Sequence, residues 1–164
     1  MQIIRRTAAS AALCLALVLV VGARAQFAPP KFLKATPTVP KAVQAGKAFS
    51  VSMAVAIDSH YHIQGNPSKE GYIATEMEIG PLKGFKVEKV NYPKPIVTSF
   101  SGEKLPVYEG SVQIKADITA DKTLKPGKYI LPVTLKYQGC DEQKCFPPAS
   151  LISKVSITVT SGAK

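Results

Sequence analysis

A period-two alternation of apolar and polar residues constrains this chain more than any other feature. Phe49, Val51, Met53, Val55 and Ile57 alternate with Ser50, Ser52, Ala54 and Ala56. That pattern fits a half-buried strand and no helix face. Similar runs lie at 75–79, 85–90, 112–118, 129–137 and 155–159, with a further short candidate at 60–63. "SGEK" at 101–104 and "LKPGKY" at 124–129 read as turns between them. Roughly seven short strands in about 120 residues predict an all-β fold, an immunoglobulin-like antiparallel β-sandwich. There are no internal repeats and no low-complexity tracts.

The chain's beginning sets the compartment. Arg5 and Arg6 precede an apolar run from Ala8 to Val21, and "GARA" at 22–25 ends it. A basic start, an apolar middle and a small-residue end predict a secretory signal peptide over residues 1–25, cut after Ala25. The run of about 14 residues is short of the ~20 a spanning helix needs, so no membrane span is expected after cleavage. Cys14 lies inside the run, between Leu13 and Leu15, and should leave with it. The mature chain divides into a Pro- and Lys-rich stretch at 26–41 ("QFAPPKFLKATPTVPK"), expected as an extended arm rather than a packed element, and one sandwich domain at 42–164.

Loss of the three arginines in the signal segment leaves 18 lysines against 11 acids, lowering the net charge from +10 to +7. Nucleic-acid readers cluster arginine with aromatics on one face. Here the lysines are dispersed along alternating strands, which fits solvated faces and protected sheet edges. A nucleic-acid partner is not expected. No Ser/His/Asp set, phosphate loop or carboxylate pair appears, so a hydrolase is unsupported.

Cys140 and Cys145, in "YQGCDEQKCFPP" at 137–148, are the cysteines a mature chain would keep. Four intervening residues between antiparallel strands would set them opposite each other, with Cα atoms roughly 4.5–5.5 Å apart. A disulfide fits that spacing, and it persists in an oxidising compartment. Closing so short a loop removes only about 2 kcal/mol of unfolded-chain entropy, against about 4 for a bridge across ~60 residues. An exposed hairpin tip would also ease thiol exchange. From spacing alone, a structural clamp and an exchanging pair both stand.

The flanks resemble a known family. "YQGC" with "CFPP" is similar to the periplasmic N-terminal domain of the thiol:disulfide interchange protein DsbD. "HYHIQGNP" at 60–67, "YIATE" at 72–76, "NYP" at 91–93, "FSGEK" at 100–104 and "VYEG" at 107–110 come in the family's order. Ala74 stands where the family usually has proline, and the cysteine spacing is one residue shorter than in its best-known member. The resemblance implies a periplasmic electron relay: Cys140 and Cys145 as the redox-active pair, Cys145 forming the mixed disulfide and Cys140 resolving it. It implies thioredoxin-like periplasmic partners and a membrane electron donor, with no cofactor besides the disulfide. It places Phe100 as a cap over the pair, with Gly102 as its hinge.

The neighbours of the pair carry further expectations. Asp141 and Glu142 would raise a thiolate's pKa and Lys144 would lower it, with no net sign from sequence. Phe146, Pro147 and Pro148 should make a stiff exit beside Cys145, whereas Cys140 follows the flexible Gly139. His62, Tyr108, Tyr137 and Phe146 are candidates for a pocket under the sulfurs, although Tyr61, Tyr92, Tyr108 and Tyr137 fit an ordinary core better. His60 and His62, if both on one strand, would share a face and with the cysteines make a copper or zinc ligand set. No metal site is expected, because the family fills the His62 position without metal. The alternatives to a relay are a secreted protein-binding sandwich with a purely structural disulfide, or that copper- or zinc-binding protein.

Overall fold

Each alternating run becomes a strand, and the alternation decides which way its side chains face. The computed structural model describes residues 31–162, so the expected signal segment and the first residues of the arm lie outside it. In chain order the strands are β1 (Leu33–Thr38), β2 (Ala42–Gln44), β3 (Ala48–Ile57), β4 (His62–Gln64), β5 (Glu76–Ile79) and β6 (Phe85–Asn91). Then come β7 (Ile96–Phe100), β8 (Glu103–Tyr108), β9 (Ser111–Ala120), β10 (Gly127–Tyr137), β11 (Gly139–Cys140) and β12 (Ala149–Thr160). No helix occurs among the described residues.

Three four-stranded sheets result, in the orders β1-β3-β9-β6, β2-β12-β10-β5 and β11-β4-β8-β7. All pairings are antiparallel except that of β2 with β12. The first two sheets are the layers of the sandwich. On β3 the buried residues are Val51, Met53, Val55 and Ile57, and on β9 Ile114, Ala116, Ile118 and Ala120. Register pairs Val51 with Ala116 and Met53 with Ile114, so inward side chains stand opposite one another. Apart from Ala120, they share one cluster with Val133, Leu135 and Tyr137 of β10. Each large apolar side chain in it contributes roughly 1.5–3 kcal/mol of burial. Strand lysines such as Lys34, Lys86, Lys115, Lys128 and Lys154 lie on the solvent faces.

The arm expected at 26–41 needs correction over its described part. Residues 33–38 form β1, which pairs along its length with β3, Ala35 opposite Val55 and Pro37 opposite Met53. β1 is an edge strand, where a proline without an N–H breaks no ladder. Just before it, Phe32 is 2% exposed. Its ring stacks on Tyr61 at 4.7 Å and on Phe146 at 5.9 Å, and meets Tyr137 edge-on at 5.9 Å. The N-terminal stretch therefore inserts an aromatic between the sandwich and the cysteine hairpin.

Phe32→Ala should lower the unfolding free energy by about 3–5 kcal/mol, the usual range for deleting a buried phenylalanine. Urea denaturation measures it. A loss under about 1 kcal/mol would return 26–41 to the status of a dispensable arm.

Candidate functional site

The site is built where the chain leaves one sheet for another. β10 ends at Tyr137, and Gln138 carries the chain into β11 of the third sheet. Gln138 ties the corner down: its C=O accepts from the Gln64 N–H at 2.9 Å and its Oε1 from the Ile73 N–H at 2.9 Å. Its Nε2 donates to the Phe146 C=O at 3.3 Å. On β11, Gly139 pairs with Ile63 and Cys140 with His62. Cys145 returns opposite Cys140 as an isolated antiparallel bridge, and Phe146 N–H donates to Gly139 C=O at 2.8 Å.

The predicted disulfide is present, Cys140 to Cys145, with Cα atoms 3.9 Å apart, closer than the opposed-strand spacing expected. Its two cysteines are not equally placed. Cys140 is 0% exposed, because β11 is paired with β4 and covered; Cys145 is half-buried. The expected exposed tip is thus exposed on one side only. Gly139 is likewise not flexible. It is buried in β11 against the Phe32 ring, where even a methyl group would overlap the ring.

Between the cysteines, Asp141 shapes the loop. Its Oδ1 accepts the N–H groups of Gln143 and Lys144, both at 2.8 Å, and those two bonds hold its carboxyl below the usual range. Glu142 Oε1 lies 3.0 Å from His60 Nδ1. Lys144 Nζ sits 5.7 Å from the centre of the Phe146 ring.

The predicted site residues separate into two groups. His62 stands across the ladder from Cys140, and Phe146 follows Cys145 directly. Phe100, half-buried at the end of β7, packs edge-on against His62 with ring centres 5.8 Å apart. Ser101 and Gly102, both at positive φ (49° and 82°), make the two-residue turn after it. Phe100 therefore reaches the pair through His62. Tyr108 and Tyr137 belong to the core cluster: the Tyr108 hydroxyl accepts from Asn66 N–H at 3.1 Å and donates to Pro93 C=O at 2.9 Å, and Tyr137 lies against Phe32.

The shared face expected for His60 and His62 does not form. His60 precedes β4 at φ 69°, outside the strand, and is exposed; His62 is buried. Burial pushes the His62 imidazole below its usual pKa, with the Glu109 and Asp141 carboxylates acting against it. Its Nε2 has no hydrogen-bond partner among the described residues. Nor do any three His, Cys, Asp or Glu side chains of the described residues group as metal ligands. Beside the hairpin lies an open cleft of about 560 Å³, lined by His60, Tyr61, His62, Phe100, Glu109 and Glu142 among others.

Two contributors carry little signal in the sequence. Phe32 is hidden in the Pro/Lys-rich stretch. Gln64 is 0% exposed, and its Nε2 lies 3.4 Å from Cys140 Sγ. A polar residue two positions from His62 on a short strand is the available signal, since such residues share a face.

Comparison with known proteins bears on the family and the fold. Residues 29–157 match the family described as thiol:disulfide interchange protein DsbD, N-terminal. The fold is similar to the N-terminal periplasmic domain of ScsB from Proteus mirabilis: TM-score 0.54, 13% identity, 79% of this chain and 46% of that one. It is also similar to the structure of the complex between the DsbD N-terminal and PilB N-terminal domains from Neisseria meningitidis, with TM-score 0.51, 17% identity, and 79% and 87% of the respective chains. At those identities the likeness speaks for the fold. No curated protein matches the sequence.

Gly139→Ala should cost about 1–3 kcal/mol through overpacking against Phe32. In a Phe32→Ala background the same change should cost measurably less, because the clash partner is gone. Urea unfolding of the four proteins in that cycle checks it, and strict additivity would refute the contact.

Proposed function

The chain belongs to the family of N-terminal domains of the thiol:disulfide interchange protein DsbD, and from that premise we propose that Cys140 and Cys145 relay reducing equivalents to thioredoxin-like protein partners. One observation carries the reading. The bridge closes a loop of sequence separation 5 and leaves Cys145 accessible while Cys140 is enclosed. As a staple it would contribute only about 2 kcal/mol, in a domain already closed by long ladders. As a redox pair it has one entry sulfur and one protected sulfur.

The exchange runs in two steps. In the reduced domain the Cys145 thiolate attacks one sulfur of a partner disulfide, forming the mixed disulfide. The partner's other sulfur leaves as a thiolate and takes up a proton. Cys140, having lost its proton, then attacks Cys145 Sγ. The Cys140–Cys145 bond forms, the partner's second sulfur leaves and is protonated, and two electrons have passed to the partner. The pair is itself the redox group, so this chemistry calls for no bound cofactor. A membrane electron donor would reduce the pair again, in the periplasm. The solved complex of a DsbD N-terminal domain with a PilB N-terminal domain supports a protein partner.

Phe100 fits a cap beside the pair, its ring packed edge-on against His62, which stands across the ladder from Cys140. Beyond Phe100, Ser101 and Gly102 form an exposed turn, with nothing within 4 Å of a Cβ on Gly102. The full burial of Cys140 favours a second reading, a permanently closed bridge in a protein-binding sandwich. The reduction potential separates the two: structural bridges lie below about −300 mV and exchanging ones above.

Incubated with an oxidised thioredoxin-like acceptor and run on a non-reducing gel, Cys140→Ala should accumulate a mixed disulfide and Cys145→Ala should form none. The opposite pattern would reverse the roles; no complex with either, together with a potential below that limit, would leave the structural reading. Phe100→Ala should be reduced severalfold faster by a small thiol at unchanged unfolding stability. Equal rates would make Phe100 ordinary packing.

A further inference from the structure

Gln64 is an anomaly by the ordinary rules of burial. Its side chain is 0% exposed in β4, yet among the described residues Oε1 has no hydrogen-bond partner. Buried polar atoms are satisfied in the great majority of cases, so an orphan asks for a reason. The other end of the same amide points to one: Nε2 donates to Cys140 Sγ at 3.4 Å. The backbone around it is held on both sides. Gln64 N–H donates to Gln138 C=O at 2.9 Å, Thr75 Oγ1 donates to Gln64 C=O at 2.5 Å, and Gly65 N–H donates to Pro106 C=O at 2.8 Å.

We infer that Gln64 is a positioning residue for the second step of exchange, its buried amide holding and stabilising the Cys140 sulfur when it acts as the resolving thiolate. The inference rests on the redox reading above and assigns to one side chain the control of its less accessible sulfur. The two ends of the amide suit the two states of the pair. In the closed bridge the sulfur can only accept, and Nε2–H donates to it. In the open pair a Cys140 thiol becomes a donor, and half a turn of the amide presents the orphaned Oε1 to it. When the thiol ionises, the sulfur is an acceptor again and Nε2–H returns. That matters because Cys140 is enclosed, and burial disfavours a thiolate unless a donor reaches it. Burial lowers the pKa of the neighbouring His62, against the Glu109 and Asp141 carboxylates, and so disfavours a positive charge there.

A purely structural Gln64 and a positioning Gln64 make opposite demands on one substitution. Gln64→Met keeps the length and removes both polar ends. If the amide merely filled space, nothing in the chemistry would change. If it holds the thiolate, stability should stay level or rise as the orphan disappears, while Cys140 becomes harder to ionise.

The test uses ultraviolet thiolate absorbance across pH in the Cys145→Ser protein, where Cys140 is the remaining thiol of the 26–164 chain. Gln64→Met in that background should move the ionisation midpoint upward by about one pH unit or more, from the loss of one hydrogen bond to a charged sulfur. With both cysteines present, the same change should slow partner release from the mixed disulfide about threefold or more at fixed pH, the smaller thiolate fraction being partly offset by its greater nucleophilicity, leaving formation of the mixed disulfide unchanged. Gln64→Asn, which keeps the amide but shortens its reach, should also raise the midpoint, and urea unfolding of both variants guards against a folding artefact. An unchanged midpoint in both variants would overturn the inference while leaving the relay intact. Failure of the unsubstituted protein to exchange at all would strike the relay instead, since the midpoint still reports on Gln64 alone.

Discussion

The Phe32 ring packed on Gly139 is the contact on which the position of the cysteine hairpin depends. It joins the residue before β1, at the edge of one sheet, to β11 in another. Tyr61, Tyr137 and Phe146 surround the same ring, and such aromatic pairs add roughly 0.5–1.5 kcal/mol each beyond simple burial. Gly139 is here for close approach and not for backbone freedom. The residue after it is Cys140, and the Gly139 C=O accepts from the N–H of Phe146, the residue after Cys145. One apolar contact therefore sets the backbone on both sides of the disulfide.

Against that apolar support, the polar content of the interior is concentrated in one strand. The buried sets of β3, β9 and β10 are apolar throughout, whereas β4 buries His62 and Gln64. Each carries an atom without a partner among the described residues, and an unsatisfied buried group costs about 1–3 kcal/mol. A strand selected only for stability would carry aliphatics at both positions. β4 is the strand that pairs with β11, and Cys140 faces it across the ladder. The cost falls at the one place where redox chemistry would use polar groups.

How far the sequence revealed this depends on which physical signal each part carries. β3, β9 and β10 were legible because a face buried against a core writes itself as alternation, and the sandwich follows from them. β1 was not, because Pro37 and the lysines around it imitate a linker, although an edge strand tolerates both. β7 and β8 were hidden by Pro106 and by exposed apolar residues such as Val97, 67% exposed. The third sheet thus left only the short run at 60–63 as a trace. In the site, the cysteine spacing revealed the bridge, since a local pair needs no long-range information. It could not reveal that one sulfur is enclosed, because the covering strand β4 comes from 76 residues earlier in the case of Gln64. The histidine pair misled for a local reason: the left-handed backbone at His60 breaks the alternation before the strand begins.

The charges of the loop, unsigned in the sequence, acquire a direction in the fold. Asp141, next to Cys140, has its carboxylate held by two loop N–H groups; Glu142 is engaged with His60. Lys144, next to Cys145, lies over the Phe146 ring on the exit side. The acid therefore adjoins the enclosed sulfur and the base the accessible one. In the proposed order of attack, that gradient favours the thiolate on Cys145, the sulfur that must strike first. It is a surface effect, weakened by salt within a Debye length of about 8–10 Å. On the proposed relay Cys140 would need a different support, because it would ionise after the partner had covered the hairpin and because Asp141 opposes it. The uncharged Gln64 amide buried beside the sulfur would provide one that neither solvent nor salt screens. Under that proposal the two sulfurs would take their reactivity from different physics, a surface charge for entry and an interior dipole for release.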